Sequence, residues 1–327
     1  MTGLFDSFHR RINYMRISVT DHCNLRCSYC TADLVPRLAH DDILRYEEIH
    51  TVVRAAASLG VKKIRLTGGE PLVRPDLSRL VRLISRVEGV DEISLTTNAI
   101  LLDRYAAELK AAGLKRVNIS LDTFKADKFE RITGSDRLKD VLSGIETATK
   151  VGLDPVKINM VVLKGINDDE LLNSARMSIS EGWHVRFIEH MPLTSSAVED
   201  NGLVAVQDMM RIIQESLGPL EPCGPLSGNG PAKYYRLPRA SGTLGFIGPV
   251  TDCFCTGCNR FRLTADGRLR PCLLDDTEVD IKGPLRGGAS TQQLAELMWQ
   301  AATLKREQHR LGENFVPSKR QMWQIGG

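Results

Sequence analysis

The chain has 327 residues, 42% of them hydrophobic and 25% charged, with a formal net charge of +3. That is the composition of an ordinary globular protein, long enough for one large domain and a smaller one. So small a basic excess excludes a nucleic-acid or membrane-surface role carried by overall charge, and any basic site must be local. The opening MTGLFDSFHRRINYMRISV holds no long apolar run, so neither a signal peptide nor a membrane span is expected and the cytoplasm is the expected compartment.

β-like runs and helical patterns alternate along the chain. MRISVT (15–20) comes first and leads straight into DHCNLRCSYC (21–30). After it, the helical stretch RYEEIHTVVRAAASLG precedes the run KKIRLTG (62–68), and PDLSRLVRLISRV precedes EISLTTN (92–98). DRYAAELKAAG then leads to RVNISLD (116–122), RLKDVLSGIETATKVG to VKINMVV (156–162), and DELLNSARMSIS to HVRFIEHM (184–191). VQDMMRIIQESLG closes the series, and Gly60, Gly113 and Gly152 are placed to end their helices as C-caps. Strand–helix alternation implies a parallel sheet with right-handed crossovers, either an open doubly wound sheet or part of a barrel.

The strand faces decide between these. Buried parallel strands are normally apolar on both faces. Here alternate positions are polar: Arg16, Ser18 and Thr20; Arg65 and Thr67; Ser94, Thr96 and Asn98; Asn118, Ser120 and Asp122; Lys157 and Asn159; Arg186. Their neighbours, such as Ile17, Ile64, Leu66, Ile93, Val117 and Ile158, are apolar and can face the helices. An all-parallel sheet with one polar face suits a barrel whose lumen holds a ligand. The expected fold is therefore α/β: an incomplete (β/α)6 TIM-type barrel over 1–222, followed by a smaller C-terminal α+β domain over 223–327. CGPLSGNGPAK (223–233) is rich in Gly, Pro and Ser and reads as a linker or excursion. Beyond it lie short β-like runs, an ADGR hairpin turn, a helix near TQQLAELMWQAATLKR, and the closing QMWQIGG.

The chain has eight cysteines, clustered at close spacings, which in a reducing compartment points to metal or redox chemistry rather than disulfides; Cys223 reads as a spectator. Cys23, Cys27 and Cys30 are spaced C-x3-C-x2-C directly after the first strand, and His22 is badly placed to be a fourth ligand. Zinc prefers paired C-x2-C knuckles, whereas three thiolates on a [4Fe–4S] cluster leave one iron open. The spacing, with Tyr29 before the last cysteine, resembles that of the radical S-adenosylmethionine (SAM) enzymes, in which the open iron chelates the methionine end of SAM. TGGEP (67–71), one strand later, strengthens the resemblance, since its glycines allow backbone to approach a ligand closely.

A second group lies in TDCFCTGCNRFRLTADGRLRPCLL (251–274). Cys255, Cys258 and Cys272 make a workable three-point site, with the hairpin returning the third thiol to the first two. Cys253 forms a tight C-x-C pair with Cys255, which makes joint ligation awkward, and a zinc ribbon using all four stays open as the alternative. Arg260 and Arg262 share one face of NRFR if it is extended. With Arg16, Arg65, Lys157 and Arg186 they make a set of cations that calls for a polyanionic ligand.

The whole chain resembles the GTP 3′,8-cyclases, the radical SAM family that opens molybdenum cofactor biosynthesis. The resemblance runs through RISVTDHCNLRCSYC, KIRLTGGEPLVR, LTTN, VNISLD, KINMVV, RFIEHM, CNRFRLTADGRLRPCL and the closing IGG. It implies two [4Fe–4S] clusters and a SAM site at Tyr29, Gly69, Ser120 and Met191. It also implies a GTP site at Arg16, Arg65, Thr96, Lys157, Arg186, Arg260 and Arg262, with the guanine on the open iron of the second cluster. Gly326 and Gly327 would be a diglycine tail reaching the active site and needed for the radical chemistry. A 5′-deoxyadenosyl radical would take the ribose 3′-hydrogen of GTP, and C3′ would then attack C8 of guanine. Implied partners are an electron donor such as flavodoxin or ferredoxin, a downstream cyclic pyranopterin monophosphate synthase and a second copy in a homodimer, with no nucleic acid and no membrane. The alternative is another radical SAM enzyme with an auxiliary cluster, such as one that modifies a peptide, for which the basic lumen has no use. Two features depart from the family: Thr31–Ala32 after the first cysteine group, and the extra Cys253.

Overall fold

The computed structural model describes residues 3–30, 37–191, 202–224, 230–309 and 320–326. Thr31–Ala32 and Gly327 lie outside the described residues.

The alternation read from the sequence produces six parallel strands in chain order: β1 Tyr14–Ser18, β2 Lys63–Thr67, β3 Glu92–Thr97, β4 Arg116–Ser120, β5 Lys157–Val162 and β6 His184–Glu189. The helices between them are α1 Tyr46–Ser58, α2 Leu77–Ser85, α3 Leu102–Ala112, α4 Ala126–Thr133, α5 Leu138–Lys150 and α6 Leu171–Ser180, with α7 Val206–Leu217 after β6. Their apolar stripes cause the packing. In α2, Leu77, Leu80, Val81 and Ile84 recur at helical spacing and are all buried. They belong to the same buried core as the outward residues of the strands, among them Ile64, Leu66 and Leu95, which are fully enclosed. Gly113 ends α3 in the left-handed region at φ 114°, and Gly60 and Gly152 take positive φ just after α1 and α5, as expected of C-caps.

Two further strands extend the parallel array. β9 (Thr243–Ile247) pairs parallel to β6, and β10 (Arg260–Leu263) pairs parallel to β1. Among the described residues the sheet has twelve strands, in the order β12 (Val279–Asp280), β11 (Arg268–Arg270), β10, β1, β2, β3, β4, β5, β6, β9, β8 (Lys233–Arg236), β7 (Glu221–Cys223), so residues after 222 continue it at both edges. β7 (Glu221–Cys223) and β8 (Lys233–Arg236) are antiparallel partners. The Gly/Pro/Ser-rich stretch expected as a linker or excursion therefore lies between two paired strands at the sheet edge, and residues 225–229 fall outside the described residues. β11 (Arg268–Arg270) folds back on β10 across the ADG turn and pairs with β12 (Val279–Asp280). After α8 (Lys282–Arg286), α9 (Thr291–Thr303) opens on a capping box of Ser290 and Gln293 and packs on α1. The last described element is α10, Met322–Ile325.

Candidate functional site

The register of the strands sets the chemistry of the lumen. Arg262 lies level with Arg16, Arg16 with Arg65, Arg65 with Ser94, and Ser94 with Arg116. Asn118 lies level with Lys157, and Asn159 with Arg186. Of these inward side chains, Arg16, Arg65, Arg116, Lys157, Asn159, Arg186 and Arg262 line one cavity of about 270 Å³. Every residue that the sequence reading assigned to SAM or GTP lines it: Tyr29, Gly69, Ser120 and Met191, and Arg16, Arg65, Thr96, Lys157, Arg186, Arg260 and Arg262. Cys23, Cys27 and Cys30 line it too.

Its wall is strongly cationic. Lys157 is 1% exposed, and burial, followed by the charges of Arg186, Arg116 and Arg65, depresses its ammonium to about 6. Burial and neighbouring guanidiniums also lower Arg65 and Arg262 to about 10 and pull Arg16 well below its ordinary value. Arg116, which sequence reasoning missed, belongs to the same wall and pairs with Glu92, its Nε 3.0 Å from the carboxylate. The signal was present, since Arg116 begins the polar alternation of β4 and Glu92 that of β3; a strand's first residue is where sequence least fixes the register. Arg186 donates to Asn118 Oδ1 at 2.7 Å, and the Lys157 Nζ lies 3.4 Å from the Tyr234 hydroxyl. Tyr14 Oη, Thr96 Oγ1, Asn118 Nδ2 and Asn159 Oδ1 are buried with no hydrogen-bond partner among the described residues. Clustered cations and orphaned polar atoms in one cavity call for a polar, polyanionic ligand.

The first cysteine loop is built by contacts from four strands' ends. Gly69 N–H donates to Thr20 O at 2.8 Å, and Glu70 N–H to His22 O at 2.7 Å. A Cβ on Gly68 would meet Thr20 O at 2.5 Å, and one on Gly69 would meet His22 O at 2.4 Å. The glycines of TGGEP thus allow backbone to pack on the cysteine loop, in addition to lining the cavity. Glu70 accepts from Thr97 Oγ1, Asn98 N and Leu72 N, which oppose burial that lifts its carboxyl to about 7. Asn98 in turn donates to Asn24 Oδ1 at 2.8 Å. Farther round, the Tyr29 hydroxyl donates to Asp122 Oδ2 at 2.6 Å, and burial raises that carboxyl to about 6. Glu70, Asn98 and Asp122 were not singled out from the sequence as site residues, although each sits at the C-terminal end of a barrel strand, where TIM-type sites lie. Burial raises the thiols of Cys23, Cys27 and Cys30, the last to about 12. Three half-buried thiols facing one cavity are the donor set of a cationic iron–sulfur group, which binds them as thiolates.

The second cysteine group lies beside the same cavity. Cys255, Cys258 and Cys272 are not themselves on the cavity wall, but their neighbours Phe254, Arg260 and Leu273 are. Cys258 and Cys272 lie near enough to Arg262 for their charges to act on it. Cys258 is half-buried, and desolvation raises its thiol, but Arg260 and Lys305 outweigh this and hold it at about 6. The Lys305 ammonium donates to the carbonyls of Arg260 and Pro271, fastening the strands that carry Cys258 and Cys272. These thiols also fit an iron–sulfur group.

The end of the chain enters this space. Arg262 donates to the Gly326 carbonyl, and a Cβ on Gly326, whose φ is +85°, would stand 2.6 Å from Thr67 Cγ2. Trp323 lines the cavity beneath the Arg37 guanidinium, 4.4 Å from its ring centroid. Arg320 anchors the segment to Asp266 at 2.8 Å and Glu278 at 2.6 Å. Gly327 falls outside the described residues. No described helix is long and apolar enough to cross a membrane.

Residues 17–177 match the family model of the radical SAM superfamily, and residues 183–311 match that named Molybdenum Cofactor Synthesis C. A GTP 3′,8-cyclase of Pelotomaculum thermopropionicum is 52% identical over 98% of this chain and 99% of its own length. One of Moorella thermoacetica is 50% identical over 98% and 99%. Among solved structures, Streptococcus suis SuiB bound to its precursor peptide SuiA is similar with a TM-score of 0.62 at 17% identity, over 84% of this chain and 64% of that one. That likeness carries the fold alone. A [4Fe–4S] cluster and SAM are the cofactors of the superfamily, and Cys23, Cys27 and Cys30 in the loop after β1 offer three thiols for the cluster. The chain belongs to the GTP 3′,8-cyclase family of radical SAM enzymes.

Proposed function

We propose that this chain converts GTP to (8S)-3′,8-cyclo-7,8-dihydroguanosine 5′-triphosphate, with each half of the cavity serving one reactant. The observation that carries this reading is the ring of buried cations with orphaned polar atoms, opening onto the same cavity as Cys23, Cys27 and Cys30. Arg16, Arg65, Lys157, Arg186, Arg260 and Arg262 clamp the triphosphate, and Thr96 adds a hydroxyl; Arg116 joins them from below. Guanidinium forks suit phosphate oxygens, and a polyanion relieves the repulsion among these cations. Tyr29, Gly69, Ser120 and Met191 line the part that takes SAM. Bound cluster and SAM supply a 5′-deoxyadenosyl radical, the oxidant for the ribose C3′–H bond. The chain's own part is to align C3′ with that radical and C8 with C3′, and good alignment is worth roughly 7–11 kcal/mol. The lumen also shields a carbon radical from solvent.

Cys255, Cys258 and Cys272 hold the second [4Fe–4S] cluster, whose side of the cavity receives the guanine. Gly326 and Gly327 act from the tail: the Gly326 carbonyl on Arg262 ties a substrate-clamping group to the last residues. The 1–222 barrel and the 223–327 portion thereby divide the two clusters between them. The protein works in the cytoplasm as a homodimer, takes electrons from a flavodoxin or ferredoxin, and passes product to a cyclic pyranopterin monophosphate synthase. A peptide substrate has no use for so many buried cations, which separates this chain from SuiB despite the shared fold.

The test is anaerobic turnover of reduced protein with SAM and GTP deuterated at C3′. Deuterium is expected in 5′-deoxyadenosine. Its absence from 5′-deoxyadenosine, with cyclised product still formed, would overturn the proposed abstraction.

A further inference from the structure

Cys253 stands outside both ligand trios, and its C-x-C spacing makes joint ligation with Cys255 look awkward in sequence, yet the fold brings the two sulfurs together. Among the described residues, the sulfurs of Cys253 and Cys255 and a ring nitrogen of His309 lie within 4.8 Å of one another. Cys255 is buried, His309 half-buried and Cys253 exposed, so the group is firmly seated but open to solvent on one side. Its members come from two stretches of chain that other residues clasp together. The Arg10 guanidinium donates to the Cys255 carbonyl at 2.8 Å and to the Glu307 carbonyl at 2.7 Å. The buried Glu189 carboxylate accepts from Val250 N at 2.9 Å and Thr251 N at 3.0 Å, fixing the entry to the cysteine pair.

Two thiolates and an imidazole are a zinc donor set, and they exclude the hard cations that want oxygen. Ligands about 2.0–2.3 Å from a tetrahedral zinc stand about 3.5–3.8 Å apart, so the trio needs only a modest contraction around one ion, with water as the fourth ligand. We propose that Cys253, Cys255 and His309 form a zinc site in protein that lacks its second cluster, and that Zn²⁺ held there withholds Cys255 from cluster assembly. The second clause rests on the reading of Cys255 as a cluster ligand. Binding converts two thiols to thiolates, releasing two protons, and involves no change of oxidation state. The two ligand sets share one sulfur, so they cannot both be filled.

The experiment uses full-length, reduced, cluster-free protein carrying Cys23→Ala, Cys27→Ala and Cys30→Ala, so that the first loop binds nothing. Co²⁺ is titrated in and then displaced with Zn²⁺. One Co²⁺ per chain is expected, with tetrahedral and thiolate-to-metal absorption bands. Cys253→Ser and His309→Ala should each weaken Zn²⁺ by more than about 100-fold, beyond what loss of an outer-shell partner costs. Cys272→Ser should leave the affinity unchanged. The reverse pattern, in which Cys272→Ser abolishes binding and Cys253→Ser does not, would place the ion on the other trio and overturn the proposal. A second measurement does not depend on those variants' binding spectra. Native chain is reconstituted with iron and sulfide, with and without equimolar Zn²⁺. Zinc should lower iron from about eight to about four per chain, and Cys253→Ser should restore about eight. Iron that stays at about eight with zinc bound would overturn the competition. A native chain that reaches only about four without zinc refutes the second cluster instead, and the cobalt titration still judges the zinc site.

Discussion

At the scale of single residues, Lys157 shows what gathering cations in one lumen costs. Its ammonium is buried among Arg186, Arg116 and Arg65, and its pKa falls to about 6. Because the unfolded chain holds that proton up to about 10.5, stability of the ligand-free protein should rise with pH between about 6 and 10.5. A bound triphosphate reverses the balance and draws the proton back. GTP binding near pH ~7.5 should therefore take up a proton, and affinity should fall as pH rises above neutrality. Calorimetric titration in buffers of different ionisation enthalpy measures this directly. Lys157→Met should abolish the uptake and weaken GTP by about 1.5–3 kcal/mol, a roughly 10- to 150-fold loss. Equal proton counts in the native chain and the variant would mean that Lys157 is already charged without ligand.

At the scale of elements, the sequence was readable where a pattern is local and silent where it is not. Period-2 alternation pointed Arg16, Arg65, Lys157 and Arg186 into one lumen, and all of them line it. Helix α4 went unread because ADKFERIT is short and its buried Phe129, Ile132 and Thr133 make less than two turns of stripe. The contacts of Gly68 and Gly69 were equally hidden, because they join loops after two different strands. Gly69→Ala tests that junction. Its Cβ would meet three backbone atoms of Asp21 and His22 at 3.0 Å or less, and backbone cannot swing aside as a side chain can. The overpacking should cost about 1–3 kcal/mol and displace the loop that carries Cys23. The expected outcome is a lower denaturation midpoint and less iron bound per chain, while Gly224→Ala, where a Cβ meets nothing within 4 Å, changes neither. A fully stable Gly69→Ala protein with normal iron content would show that the loops are not locked together.

At the scale of the whole molecule, the sequence suggested a barrel with a second domain appended, but strand pairing joins the two more closely. β9 lies along β6 and β10 along β1, so the later third of the chain covers both edges of the six-strand unit. The α9 helix packs on α1, and Arg10 donates to the carbonyls of Cys255, Arg306 and Glu307. None of this could be read locally, because each contact spans some fifty to three hundred residues and leaves no periodic mark. Removing 223–327 would bare two edges of a parallel sheet, whose unpaired N–H and C=O groups template aggregation. It would also uncover the apolar α1 surface that α9 protects. Residues 1–222 expressed alone should therefore be recovered as aggregate, without a cooperative thermal transition. The intact chain should instead melt as one unit, with far-ultraviolet circular dichroism and tryptophan fluorescence reporting the same midpoint. Trp183 precedes β6 while Trp299 and Trp323 lie in the later third, so the two parts carry separate reporters. A soluble 1–222 fragment with its own sharp transition would mean that β9 and β10 merely decorate a finished barrel. Failure of that fragment to fold would mean that the part carrying the second cysteine group also completes the scaffold of the first.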